Sequence, residues 1–183
     1  MARFSRPSLG CTFRARWVLE CSGAPAKHIY ASFAFCSMGL VSRRVLGELA
    51  SRYSVDEGKV EGMLREAVED VARMLSRFVW AGQYSFADRL ANAAGREVVS
   101  ATLYEALRIS ESTRKAGRTL DGNVEPYVAK ESSVKLLLDL LDVDLVGGLE
   151  VVKRAAILAL AYKGRVKERA EEAEEAGGEG GEE

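Results

Sequence analysis

Residues 56–82 read DEGKVEGMLREAVEDVARMLSRFVWAG. Apolar side chains fall at Val60, Met63, Leu64, Ala67, Val68, Val71, Leu75, Phe78 and Val79. Steps of three and four place them on one face of a single helix. Glu57, Glu61, Arg65, Glu69, Asp70 and Arg73 supply most of the wet side. A helix this long and this one-sided must be covered by other elements, so it dictates a helix-packed core. Ser54-Val55-Asp56-Glu57 has the spacing of a capping box and predicts the start, with Ser54 as N-cap. Gly82 is predicted to end the helix as a left-handed C-cap.

The remaining chain can supply those elements. A helix is expected over 29–53, with Arg43, Arg44 and Arg52 outward. Ser85 opens a short alanine-rich helix, stopped at Gly95. Arg96 starts another that runs to about Lys115, with Val98, Thr102, Leu103, Ala106, Leu107 and Ile109 inward. After Gly117, Asp121-Gly122 is a favoured hairpin turn, and Pro126 limits its second arm to an edge strand or loop. Ser132 or Ser133 is predicted to cap a leucine-rich helix. Asp144 is predicted to cap the last one, from about Leu145 to Glu175, with Gly147 and Gly148 weakening its first turn. The sum is a mainly α fold: a small bundle of five or six helices with a candidate short β-hairpin insertion.

Charge divides the chain further. Residues 1–58 carry eight basic and four acidic side chains, and the tail from Lys167 carries eight glutamates and two basic residues. We read 1–53 as a basic N-terminal extension whose composition raises doubt that it belongs to the native protein. Residues 54–166 are the helical domain, with a β-hairpin flap at 118–129. Residues 167–183 are an acidic low-complexity tail. The first 28 residues show no clean period and are expected to be irregular. The longest apolar run, 29–41, is too short to span a membrane, which points to a cytoplasmic protein. One glutamine and two asparagines beside abundant charge suit a thermophile.

Cys11, Cys21 and Cys36 lack paired spacing, and with His28 they make neither a disulfide framework nor a recognisable metal site. No nucleophile elbow, zinc-protease motif or phosphate loop is present. The chain is expected to be no enzyme and to need no cofactor or metal. The candidate chemistry is nucleic-acid binding through Arg89, Arg96, Arg108, Arg114, Lys115 and Arg118, with Tyr84 and Tyr104 as stacking partners. A DNA-reading helix-turn-helix hinged at Gly95 fits less well. Arg96 follows the hinge, Ala101 is small, and Glu97, Ser100 and Glu105 would face the groove.

The stretch YSFADRLANAAGREVVSATLYEALR (84–108) resembles the Csa-type small subunit of archaeal type I-A CRISPR effector complexes. An aromatic lead into Asp88-Arg89-Leu90-Ala91-Asn92-Ala93 carries the likeness, followed by Val98-Val99 and Leu103-Tyr104-Glu105-Ala106-Leu107-Arg108. It extends over about 60–162 and includes a β-prone insertion near 118–128. It implies a small, helical, non-catalytic subunit of an RNA-guided antiviral (Cascade) complex. Its partners would be the other subunits and the guide RNA or the target or displaced DNA strand, with self-association a further option and no membrane. Strands would be held by charge, because guide pairing supplies sequence specificity. The alternatives are a small helix-turn-helix regulator and a helical interaction adaptor.

Overall fold

The computed structural model describes residues 5–6, 11–14, 18–21, 26–83 and 85–160. Six helices are α1 (Ala26–Met38), α2 (Arg43–Tyr53), α3 (Glu57–Trp80), α4 (Ser85–Ala91), α5 (Arg96–Lys115) and α6 (Glu131–Val143). Residues 145–160 form a further helix, α7. The fold is mainly α, as the periodicity predicts. Seven helices are present among the described residues because the expected helix over 29–53 is two. Ser42 breaks it, adopting extended backbone and accepting from the Val45 N–H to start α2. Ahead of the bundle, β1 (Ser5–Arg6), β2 (Cys11–Arg14) and β3 (Val18–Cys21) form an antiparallel sheet in chain order. This corrects the expectation of an irregular arm. Strands of two and four residues are too short to display an alternating pattern.

Helix α3 is the centre. Its expected face is buried from Val60 to Val79, with Met63 at the margin. Helices α1, α2 and α6 pack on it most extensively. Tyr30, Phe33, Ala34 and Met38 of α1 and Val45, Leu46, Leu49 and Ala50 of α2 join the same core. Both helices fall within the stretch read from sequence as an extension. No helix among the described residues is long and apolar enough to cross a membrane.

Several helix ends differ from the sequence reading. Ser54 is not the N-cap of α3. It sits left-handed (φ 53°) and closes α2, with the Val55 N–H donating to the Ala50 carbonyl. Asp56 caps α3 instead, its carboxylate accepting from the Lys59 N–H at 2.8 Å. The Gly82 prediction holds: at φ 78° it lets the Gln83 N–H reach the Phe78 carbonyl at 2.8 Å, a Schellman closure. Gly95 is extended (φ −151°) and is the N-cap of α5, so it is not a left-handed stop for α4. Val98 is exposed and Val99 takes the inward place.

The hairpin flap is reduced to a single bridge between Leu120 and Val124. Asp121 and Gly122 both take positive φ there, as the turn requires. Pro126 follows, and 125–130 forms no strand. Neither Ser132 nor Ser133 caps α6; Lys130 is its N-cap, without a side-chain cap bond. Asp144 does cap α7, accepting from the Gly147 N–H at 3.0 Å. The predicted extension of that helix to Glu175 lies outside the described residues beyond 160, as does Tyr162. Gly148 has a packing reason: a Cβ there would lie 3.0 Å from Leu141 Cδ2 and 3.1 Å from its Cα.

Candidate nucleic-acid interface

Helix α5 presents one edge to solvent because its apolar residues Val99, Thr102, Leu103, Ala106 and Leu107 are buried against the bundle. Glu97, Ala101, Tyr104, Arg108, Ser112 and Lys115 are exposed and recur at steps of three and four, so they share the outward stripe. The helix ends in a second Schellman closure at Gly117 (φ 63°), where the Arg118 N–H donates to the Thr113 carbonyl. That turn carries Arg118 just past Arg114 and Lys115.

The six candidate cations divide into two groups. Arg89 pairs with Glu105 at 2.8 Å and lies over the Phe86 ring at 5.1 Å, so it ties α4 to α5. Arg96 pairs with Asp142 at 2.8 Å and ties the start of α5 to the end of α6; Arg52 reaches the same carboxylate at 4.0 Å. These two are half-exposed but already committed to carboxylates. Arg108, Arg114, Lys115 and Arg118 are exposed and form no ion pair among the described residues. They gather on the C-terminal half of α5 and the turn after it. Arg114 and Lys115 also oppose the negative end of the helix dipole, which accounts for their position without a ligand but leaves their charge available. Tyr84 lies outside the described residues.

A polar cluster ties the segment between α5 and α6 to α3. Buried Asp70 of α3 accepts from the Tyr127 hydroxyl at 2.6 Å and from the Lys130 N–H at 2.7 Å. Burial is the largest cause, and the bond to Asp70 the next, that pushes the Tyr127 phenol from 10.0 to about 12. Arg73 pairs with Glu69 and lies near both the Tyr30 ring (5.6 Å) and the Tyr127 ring (6.0 Å). Tyr30 in turn donates to Ser76 at 2.6 Å. A second tie joins α2 to α6: the Tyr53 hydroxyl donates to Asp139 at 2.5 Å, and Lys135 pairs with the same carboxylate. Burial would raise the Asp139 carboxyl, but the hydrogen bonds from Lys135 and Tyr53 outweigh it and hold the group below its usual value.

Sequence reasoning placed Asp70 on the wet side and missed this positioning role. Its offset of three from Ala67 and one from Val71 was the available signal, since it puts Asp70 at the margin of the apolar stripe. The arrangement offers exposed cations along one end of a helix, a layout chemically suited to contact with a polyanion backbone.

Residues 74–162 match the family model of the CRISPR-associated protein (Cas_Csa5). That region runs from the C-terminal part of α3 through the described residues of α7, and it is what this chain shares with a known CRISPR-associated family. No curated protein and no solved structure gives a significant match.

Proposed function

We propose, from the similarity over residues 74–162, that this chain is a non-catalytic CRISPR-associated small subunit. In this reading it packs into a type I-A guide-RNA complex of a thermophilic archaeon, in the cytoplasm, as part of antiviral defence. It stabilises the assembly and holds nucleic-acid strands without sequence specificity. One observation carries the strand-holding part: four exposed cations, unpaired among the described residues, on the C-terminal half of α5 and its following turn, all inside the matched region. Their exposed placement suits backbone contact, because guide pairing leaves no base reading for the protein to do. Arg89 and Arg96 belong to the bundle's own ties, so the nucleic-acid role falls to Arg108, Arg114, Lys115 and Arg118.

The extended Gly95 N-cap and the half-buried Arg96 pair count against a helix-turn-helix regulator. Affinity purification of the tagged full chain from its native host tests the proposal. Guide RNA and the other effector subunits should co-purify. Their absence, or a tight footprint on one duplex sequence, overturns it.

A further inference from the structure

Four tyrosines lie among the residues with described side chains, and three of them tie elements together. Tyr30 bonds Ser76, Tyr53 bonds Asp139 and Tyr127 bonds Asp70. Tyr104 is different. It is 39% exposed, and its hydroxyl makes no hydrogen bond among the described residues. It stands on the outward stripe of α5, one turn before Arg108 and three turns before Lys115. Four residues advance about 6 Å along a helix, so a strand laid along α5 would meet an aromatic face and then successive cations. Large apolar groups are left in water at a cost, and no hydrogen bond among the described residues employs this side chain.

We infer that Tyr104 is a base-stacking platform, and that the outer edge of α5 from Tyr104 to Arg118 is a track for single-stranded nucleic acid. The inference rests on the strand-holding part of the function proposed above and deepens it by naming the strand class. Phosphates are common to duplex and single strand, and cations alone do not distinguish them. An exposed ring does, because only an unpaired base has a free face to stack on it. Glu111 lies on the same stripe between Arg108 and Lys115, half-buried and without an ion pair to either. It opposes a phosphate passing there, so its neutralisation reports the path of the strand.

Fluorescence anisotropy on the full chain tests this with labelled oligothymidylate, oligouridylate, an abasic deoxyribose-phosphate strand of equal length, and a duplex. The wild-type chain should bind one or both base-bearing single strands about tenfold more tightly than the abasic strand. Tyr104→Ala should abolish that preference and leave abasic affinity unchanged, and Tyr104→Phe should keep it. Glu111→Gln should tighten single strands about threefold, whereas Glu66→Gln on the exposed side of α3 should not. A Tyr104→Ala chain with the wild-type preference overturns the inference. So does a Tyr104→Ala chain that binds oligothymidylate normally but no longer joins the guide-RNA complex, because the ring then meets protein. Equal binding of all strands, lost on replacing Arg114, Lys115 and Arg118, leaves the proposed function standing and removes Tyr104 from it. A wild-type chain that binds no strand, free or within the complex, removes both.

Discussion

At the scale of single residues, Asp70 decides more than its chemistry suggests. It is one of five carboxylates on α3, the buried one, and it satisfies a phenol and a backbone amide from residues 127 and 130. A buried carboxylate left without such donors would cost several kcal/mol. Tyr127→Phe should therefore destabilise the fold by about 1 kcal/mol at neutral pH. Its pH signature is more specific. The folded phenol sits above the unfolded one, so its stabilisation is complete below 10.0 and lost as pH climbs through about 12. Chemical denaturation across that range should show a shallower alkaline loss in Tyr127→Phe than in the wild-type chain. An identical alkaline slope would contradict the assignment. Leu103 and Leu107 are buried as the period predicts. Val98 is not, because a branched apolar residue at the edge of a helical stripe can fall on either side, and only the neighbouring helix decides.

At the scale of elements, two glycines make opposite predictions from the same substitution. Gly62 lies within α3 with open space where a Cβ would go. Gly62→Ala should stabilise the protein by about 0.5–1 kcal/mol through helix propensity. Gly148 crosses α6 at Leu141, where a Cβ would meet backbone as well as side chain. Gly148→Ala gains the same propensity, but overpacking costs about 1–3 kcal/mol, so a net loss is expected. Thermal melts of the two variants should move in opposite directions. Matching shifts would mean that α7 does not approach α6 as closely as the structure has it. Helices were legible here and their ends were not. The long period of α3 had no competing interpretation. Ser54 and Asp56 both offer a capping oxygen within three residues, and spacing cannot rank them. Ser54 is consumed by the end of α2, a tertiary choice that the capping-box pattern does not encode. The cap of α6 is harder still, since the acceptor that reaches the Lys130 N–H is 60 residues away.

At the scale of the whole molecule, net charge is −1, so any polyanion binding must arise from local arrangement. Four unpaired cations give a definite salt response. If each neutralises one phosphate of a single strand, log K should fall with log salt at a slope of roughly −3. Replacing Arg114, Lys115 and Arg118 by alanine should cut that slope to about −1 without unfolding the protein. A titration in which the slope is unchanged would place the contact elsewhere. The candidate cluster was legible as a list of basic side chains in one stretch. Which of them are free was not, because the partners Glu105 and Asp142 come from the middle of α5 and from the end of α6. The apolar run of α1 was visible in the sequence, but the arginines and cysteines of the first 53 residues set that stretch apart, so its place in the core was not.

The bond between Asp70 and the Lys130 amide has one further consequence. It closes a span of chain that contains the C-terminal part of α3, then α4, α5 and the turn after them, and so contains every cation and ring assigned to strand binding. The entropy cost of closing such a span grows only slowly with its length, and α4 and α5 add their own contacts to α3, and α5 to α6. The binding edge is thus braced twice, at its neck by Asp70 and along its inner side by the shared core. Amide exchange should find the inner side of α5 protected nearly as well as α3, with the turn after it opening first.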